Sequence, residues 1–243
     1  MGRILAFIYG VVAYVIFFVT FLYAIGFVSN LFVPKSIDSG ELAPFSQALL
    51  INVLLLGLFA IQHSVMARPE FKRWWTRLVP EAVERSTYVL LASLTLILLF
   101  WQWRPMTAVI WNVENTFGSY ILWATFLLGW VTVLVGTTLI NHSDLFGLRQ
   151  VVLYKKGEKY TELGFRTPFL YKIVRHPIML GFIIAFWASP RMTMGHLVFA
   201  IGTTAYILIA IQFEERDIVN AHGATYEEYR KQVSMILPIP KRR

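Results

Sequence analysis

Long apolar blocks alternate with short polar stretches along this chain. Six blocks contain no Asp, Glu, Lys or Arg: 4–33, 45–66, 86–103, 117–140, 177–189 and 193–213. A helix needs about 20 apolar residues to cross the hydrocarbon core of a bilayer. Five blocks come close to that length or exceed it. The fifth block in the chain, 177–189, is shorter and would insert partly or form a tight hairpin with the sixth.

This pattern predicts an all-α, polytopic integral membrane protein with five or six transmembrane helices. The composition agrees, because 57% of the residues are hydrophobic and only 15% are charged, whereas about a quarter are charged in soluble domains. A transmembrane barrel would need alternating strands of about 10 residues, and the sequence lacks that alternation.

The basic residues predict the orientation of the helices, since cytoplasmic loops are enriched in Lys and Arg. With the N-terminus inside, 19 of the 22 basic residues fall in inside segments. The outside loops hold only Lys35, Arg104 and Arg191. Both termini are therefore predicted to be cytoplasmic, in an inner (cytoplasmic) membrane.

We divide the chain into N-terminal transmembrane helices, 1–140, and a catalytic region, 141–243. The catalytic region comprises a cytoplasmic segment (141–176), a helical hairpin (177–213) and cytoplasmic C-terminal helices. Within the last part, Gly223 is expected to break a helix, and Thr225 with Glu228 is expected to cap the next one as a Thr-x-x-Glu box.

Composition excludes several classes of site. The chain has no cysteine, which rules out disulfides, thiolate nucleophiles and cysteine-based metal centres. Its five histidines lack the spacing of a helix-borne metal site, so we expect no metal. The net charge of +8 is interpreted as contact with the lipid bilayer and not with nucleic acid.

Polar side chains cluster where four of the helices meet the predicted cytoplasmic face. Because polar groups at a membrane are costly, their placement is informative. The sequence therefore predicts one polar pocket at that face. Its expected members are Gln62, His63, Asn141, His142, Asp144, Arg175, His176, Glu214, Glu215 and Asp217.

Each of these groups also has a purely structural interpretation. His63 alone would more often be a hydrogen bonder between helices, and His142 with Asp144 could cap a helix end. Glu214 and Glu215 could begin a solvated helix. The aromatic residues of the first helix are interpreted as lipid contacts or packing.

The pair His176-Pro177 begins the fifth block with a specific geometry. Proline suits the first helical position and keeps the preceding residue out of the helical region. The free N–H groups of such a helix start suit a carboxylate or another anion. Glu214 and Glu215 could receive an ammonium group, so the two features together would suit an amino-acid moiety.

The stretch "RHPIMLGF" and the later "EERDIVNAHGATYEEYRKQV" resemble the C-terminal signature of the isoprenylcysteine carboxyl methyltransferase-like membrane methyltransferases. Gly181 matches the glycine of that signature, whereas Met179 stands where many members carry Tyr. The resemblance implies S-adenosylmethionine as cofactor, leaving as S-adenosylhomocysteine. Its implied contacts are Arg175, His176, Glu214, Glu215, Tyr226 and Tyr229.

Five further blocks, "IQHSVMARPEFKRWW", "ERSTYVLL", "INHSDLFGLRQVVLY", "LGFRTPFLYKIVRHP" and "SPRMTMGHLVFA", are similar to the methanethiol S-methyltransferase family. Related membrane proteins of nitrite and nitric-oxide respiration share the Gln-His-Ser block, so that block alone does not decide the activity. The resemblance implies methylation of a small thiol, methanethiol, to dimethyl sulfide. It places Gln62, Gln150 and Tyr171 at the substrate, beside His63, His142 and Asp144.

The implied reaction is an in-line displacement in which a thiolate attacks a sulfonium methyl group. His63 or His142 would take the thiol proton, because imidazole titrates near neutrality. His63 is slightly favoured as the deeper residue, and Asp144 would orient or assist. Aromatic faces such as Phe169, Tyr171 or Tyr226 would hold the sulfonium loosely.

Two alternatives stay open. One is a methyltransferase that acts on a prenylcysteine carboxylate, an amine lipid or an isoprenoid. The other is a non-enzymatic membrane protein that handles haem, quinone or ions.

Overall fold

A computed structural model describes residues 2–161 and 163–239 of the chain. The helices are α1 (Arg3–Ser29), α2 (Phe45–Ala67), α3 (Pro69–Trp75), α4 (Glu81–Gln102), α5 (Thr116–Ile140), α6 (His142–Leu145), α7 (Leu148–Lys156), α8 (Pro177–Trp187), α9 (Met194–His222) and α10 (Ala224–Gln232). A 3-10 turn covers Phe169–Lys172, and two short strands are β1 (Val109–Asn112) and β2 (Arg191–Thr193).

Among the described residues, five helices are long and apolar enough to cross a membrane: α1, α2, α4, α5 and α9. Many of their large apolar side chains, such as Leu54 and Leu128, are exposed in the isolated chain, as expected of surfaces that face lipid. The all-α polytopic fold is therefore confirmed, with one two-stranded antiparallel ribbon added. Since α8 has only 11 residues, five helices and not six have spanning length.

One compact unit combines α1, α2 and α4 with α6 and α7. We call it the N-unit. Here α7 packs beside the first turns of α1, where Val151 lies in a buried cluster with Ala6 and Val83. Gly10 permits this approach, because a Cβ at that position would lie 2.6 Å from Val151 Cγ2. The start of α1 thus packs against the amphipathic helix α7.

A second compact unit combines α5, α8, α9, α10 and the two strands. We call it the C-unit. In it α5 and α8 touch backbone to backbone, since a Cβ on Gly129 would lie 2.7 Å from the Gly181 carbonyl oxygen. Small residues permit such close packing between membrane helices. The short helix α8 is therefore held in place by α5.

The C-terminal helices correct two predictions. The apolar block 193–213 and the predicted cytoplasmic helix after Glu214 are one continuous helix, α9, which ends at His222. Hydropathy marks where apolar sequence ends, and the helix does not stop there. The break at Gly223 is confirmed, with φ +53°. The Thr225–Glu228 capping box is wrong: Gly223 occupies the N-cap without a side-chain hydrogen bond, and Glu228 accepts a bond from Gln232 instead.

The division of the chain at residue 140, into transmembrane helices and a catalytic region, is a functional division and stays a prediction. The two compact units divide the chain elsewhere: α5 packs with α8 in the C-unit, whereas α6 and α7 belong to the N-unit.

Candidate active site

The start of α8 positions Arg175 and His176. Pro177 is the first helical residue, and His176 has φ −123° and ψ 65°, outside the helical region, as predicted. The backbone N–H groups of Arg175 and His176 donate to the carbonyl oxygens of Ser234 (2.8 Å) and Met235 (3.1 Å). The segment that follows α10 therefore pairs with the Arg-His dipeptide and fixes its direction.

Glu215, on α9, is the centre of a charged network. Its Oε1 atom accepts hydrogen bonds from Arg175 Nε at 2.6 Å and lies 3.1 Å from His176 Nε2. Its Oε2 atom lies 3.2 Å from Arg230 Nε on α10. Arg175 also donates from one terminal nitrogen to the carbonyl oxygens of Arg230 (3.2 Å) and Val233 (2.6 Å). Three segments of the C-unit thus meet at one carboxylate.

Burial makes this network energetically important. The side chains of Arg175, His176 and Glu215 are each 6% exposed. A buried charge is tolerated only when it is paired and hydrogen-bonded, and breaking such a pair by removing one partner costs about 3–5 kcal/mol. Arg175 therefore joins the end of α10 to α9, in addition to any contact with a ligand.

The two adjacent glutamates differ in environment. Glu214 keeps 41% of its side chain exposed, with Oε2 at 3.7 Å from His176 Nδ1. Glu215, in contrast, already contacts two guanidinium groups and an imidazole. Glu214 is therefore the carboxylate of the two that can still bind a cation from solvent.

Tyr226 and Tyr229 lie next to this network as part of an aromatic cluster. The ring of Phe165 lies 5.6 Å from that of Tyr226 and 5.4 Å from that of Tyr229, centroid to centroid. Burial, together with the charge of Glu215, raises the pKa of Tyr226, and burial raises the pKa of Tyr229 to about 12. Both phenols are therefore protonated and neutral at physiological pH.

Tyr171 serves mainly to hold the loop before α8. Its hydroxyl donates to the Gly136 carbonyl oxygen at 3.3 Å, and its own carbonyl oxygen accepts from the Tyr229 hydroxyl at 2.5 Å. Phe169, two residues earlier, is 66% exposed. The sequence grouped these two rings as cation contacts, whereas their environments differ.

Two open clefts reach the charged network. One, of about 280 Å³, is lined by Gln212, Glu215, Arg216, Val219, Asn220 and Arg230. The other, of about 510 Å³, is lined by Arg175, Glu227, Arg230 and Lys231. Arg230 lines both clefts, so a polar ligand in either cleft can contact it.

In the N-unit, His63 on α2 is paired with Tyr88 on α4. The Tyr88 hydroxyl lies 2.9 Å from His63 Nε2, and the ring of Phe59 stacks on the imidazole. Gln62 is also engaged: its amide donates to the Met66 sulfur at 3.1 Å. His63 therefore makes the hydrogen bond between helices that its structural interpretation predicts.

His142, the first residue of α6, is paired with Tyr14 on α1. The Tyr14 hydroxyl lies 3.0 Å from His142 Nε2, and the ring of Phe146 packs 4.7 Å from the imidazole. Burial lowers the pKa of His142, so the ring is neutral at pH 7. The helix cap is Asn141, whose side-chain oxygen accepts from the Asp144 N–H at 3.0 Å. Capping is therefore not the role of His142.

Asp144 joins α6 to α7 and to the segment that follows. It accepts hydrogen bonds from Arg149 (3.0 Å), Gln150 (3.3 Å) and Tyr160 (3.3 Å). Burial and the Asp144 carboxylate raise the pKa of Tyr160, which keeps the phenol a donor. Among the described residues, the buried Oε1 of Gln150 has no hydrogen-bond partner.

Both histidine pairs of the N-unit border the same apolar cluster. Met66 and Tyr88 form its buried part, and Phe17 and Phe146 pack against it, with their rings stacked at 3.9 Å. Aromatic rings make favourable contacts with sulfur, and the Met66 thioether lies among them. The surroundings of the two histidines are therefore mainly apolar and aromatic.

The sequence analysis missed Tyr14, Arg230 and Phe165. Arg230 could have been predicted, because it lies on the same helix face as Tyr226 and Tyr229. Nothing in the sequence distinguishes Tyr14 from the other aromatic residues of α1, which were interpreted as lipid contacts or packing. Its hydrogen bond arises only because α6 folds back beside α1.

Each set of predicted residues is brought together within its own unit. The N-unit holds Gln62, His63, His142, Asp144 and Gln150, and the C-unit holds Tyr171, Arg175, His176, Glu214, Glu215, Tyr226 and Tyr229. That both sets line a single pocket stays a prediction. Across the described residues, no group of three or more His, Asp or Glu side chains is arranged to hold a metal ion.

Comparisons with known proteins give the family. A family model described as NnrU protein matches residues 50–228. The methanethiol S-methyltransferase of Mycobacterium tuberculosis is 60% identical over 242 residues, covering 100% of this chain and 99% of the relative. The enzyme of the same name from Crocosphaera subtropica is 56% identical over 98% of this chain and 93% of its own.

A third relative, methanethiol S-methyltransferase 2 of Bradyrhizobium diazoefficiens, is 54% identical over 98% of this chain and 91% of its own length. No solved structure matches the chain. These full-length identities agree with the motif resemblance in its C-terminal half. The chain therefore belongs to the NnrU protein family and, within it, to the family of methanethiol S-methyltransferases.

Proposed function

We propose that this chain transfers a methyl group from S-adenosylmethionine to methanethiol and releases dimethyl sulfide and S-adenosylhomocysteine. The observation that carries the proposal is the 60% identity, along the whole chain, to a protein named methanethiol S-methyltransferase. The buried network around Glu215 supports it, because the network includes the Arg-His-Pro motif, whose resemblance to membrane methyltransferases implies S-adenosylmethionine.

The residues of the C-unit fit an amino-acid-bearing sulfonium compound. Glu214 offers a half-exposed carboxylate for an ammonium group, and the start of α8 suits a carboxylate. Tyr226 and Phe165 offer aromatic faces beside the network. When bound, S-adenosylmethionine supplies an electrophilic methyl group on a positively charged sulfur.

The residues of the N-unit fit the thiol. The nucleophile is a thiolate and not a thiol, so a base must take a proton. Neutral His63 or His142 provides that base, and the apolar cluster around Phe17 and Phe146 favours a small thiol over water. Asp144, held by Arg149 and Tyr160, keeps α6 in position.

We further propose that the protein lies in the cytoplasmic membrane with both termini in the cytoplasm. The bias of basic residues supports this orientation, since only three of the 22 lie in predicted outside loops. Fusion of a cytoplasm-active reporter to either end should give signal, and signal only from a periplasmic reporter would contradict the orientation.

The function is tested with the purified full-length protein in lipid nanodiscs. We expect dimethyl sulfide in the headspace when methanethiol and S-adenosylmethionine are both supplied, and none without either. No product above a protein-free reaction would overturn the proposal. Methylation of a prenylcysteine or a lipid in place of methanethiol would favour the first alternative, and visible absorbance of a bound chromophore would favour the second.

A further inference from the structure

The short helix α3 connects two spanning helices of the N-unit. Helix α2 ends at Ala67 and α4 begins at Glu81, and both are long and apolar enough to cross a membrane. Arg68 alone separates α2 from α3, because it is at once the C-cap of α2 and the N-cap of α3. Since α2 needs most of its 23 residues to cross the hydrocarbon core, α3 lies at the membrane surface.

One face of α3 is anchored to the N-unit. Phe71 and Trp75 are four residues apart and therefore share a helix face. Both pack against the buried cluster that contains Met66 and Tyr88, and their rings stack at 5.7 Å, centroid to centroid. These contacts fix which face of α3 is turned away from the protein.

The outward face carries two arginines beside two apolar side chains. We call Arg73, Trp74, Arg77 and Leu78 the α3 surface. Trp74 is 50% exposed and Leu78 is 66% exposed, and both arginines are exposed. The N–H groups of Arg77 and Leu78 donate to the carbonyl oxygens of Trp74 and Trp75, which continues the helical path by one turn. Residues four apart are neighbours on such a path, so the arginines form one row and the apolar side chains form the next.

The charge of the α3 surface is only weakly offset by the protein itself. Arg73 Nη2 lies 3.3 Å from Glu70 Oε1, and the two side chains are 72% and 71% exposed. Exposed ion pairs of this kind contribute little. The adjacent Lys72 is turned instead toward the buried Glu84, at 3.7 Å. The Arg73 guanidinium can therefore bind an anion from outside in place of Glu70.

Three properties of the α3 surface fit an anionic phospholipid. Arginine binds phosphate oxygens through two parallel hydrogen bonds. Tryptophan prefers the headgroup level of a bilayer, and anionic lipids attract basic residues at the membrane surface. A soluble anion would match the arginines but would leave Trp74 and Leu78 in water.

We propose that the α3 surface binds an anionic phospholipid, with its two arginines on the phosphate and its two apolar side chains among the upper parts of the acyl chains. The proposal does not depend on the methyl-transfer reaction. The opposite face of α3 packs against the cluster that contains Tyr88, the partner of His63. Bound lipid would thus hold α3 beside a candidate catalytic residue.

Lipid binding is measured by native mass spectrometry of the full-length protein, titrated in neutral detergent with phosphatidylglycerol or phosphatidylcholine. Arg73→Gln and Arg77→Gln each remove one charge from the α3 surface. The matched control is Arg166→Gln, which removes an exposed arginine from a loop of the C-unit. We expect the wild type and the control to prefer phosphatidylglycerol equally. Each α3 variant should bind it about 5-fold more weakly, the effect of one basic residue at an anionic surface.

The depth of Trp74 in the bilayer gives a second measurement. Its fluorescence is the difference between the wild type and Trp74→Phe, both in nanodiscs. Phospholipids brominated at the headgroup end of the acyl chains should quench this difference, because the ring is expected at that level. Aqueous iodide should quench it less.

Four results would overturn the proposal. The preference for phosphatidylglycerol could survive in both α3 variants, or it could fall equally in Arg166→Gln, which would make it an effect of net charge. Inorganic phosphate at the same concentration could displace the lipid, which would assign the arginines to a free anion. Quenching of Trp74 by iodide and not by brominated lipid would place the α3 surface in water, facing a soluble partner.

Discussion

The N-unit and the C-unit hold their candidate histidines by different physical means. In the C-unit, Arg175, His176 and Arg230 surround the carboxylate of Glu215, and full charges offset one another. In the N-unit, His63 and His142 each meet a neutral tyrosine hydroxyl. The contrast matches the two proposed substrates, because a sulfonium amino acid carries several charges and methanethiol carries none.

The difference also shows what each unit can tolerate. A charged network loses most when one member is removed, because the remaining charges are left buried and unpaired. A neutral pair loses only a hydrogen bond worth about 1 kcal/mol. Substitutions in the C-unit should therefore affect folding and ligand binding together, whereas those in the N-unit should affect turnover first.

The largest effect is expected from Glu215→Gln. The change leaves two guanidinium groups without their carboxylate, and we expect about 3–5 kcal/mol of lost stability together with loss of binding of S-adenosylmethionine. Thermal unfolding in detergent and calorimetric titration measure the two quantities. Glu228→Gln is the control, since its pair with Lys231 is exposed and exposed ion pairs contribute little to stability. Equal effects of both variants would show that the buried network contributes no more to stability than an exposed ion pair.

Glu214→Gln should separate ligand binding from folding. Its carboxylate is half-exposed and is not held by Arg175 or Arg230, so the melting temperature should change little. The affinity for S-adenosylmethionine should fall by about 10-fold or more, as expected for a hydrogen bond to a charged group worth about 1.5–3 kcal/mol. Unchanged affinity in a calorimetric titration would assign the ammonium group to another residue.

Gly129→Ala tests whether the charged network depends on the contact between α5 and α8. The added Cβ would lie 2.6 Å from the Ala185 nitrogen and 2.7 Å from the Gly181 oxygen, so the helices must move apart. Overpacking of this kind costs about 1–3 kcal/mol, and the displaced start of α8 should also weaken binding of the methyl donor.

Gly57→Ala, in α2, is the matched control for that change, because a Cβ there has nothing within 4 Å. It should be neutral or slightly stabilising, since Ala is the better helix former. A Gly129→Ala protein that unfolds at the wild-type temperature would show that α8 does not depend on this contact.

Sequence patterns found the parts of this protein whose signals are local. Runs without charge located four of the five spanning helices, and the start of α9, to within a few residues. Pro177 and Gly223 marked a helix start and a helix end correctly. The continuity of α9 across residue 213 was missed, because hydropathy reports where apolar sequence ends and not where helical hydrogen bonding ends. The cap at Thr225 was missed because Gly223 already occupied the N-cap position.

By itself the sequence determined the membrane class, the spans and the motif residues, because apolar length and residue spacing are properties of the chain alone. Only the tertiary structure decided that Glu215 and Glu214 have different environments and that Tyr14 meets His142. Those facts depend on which helices pack together, and neighbours in sequence, such as the two glutamates, point to different partners once α8, α9 and α10 are assembled.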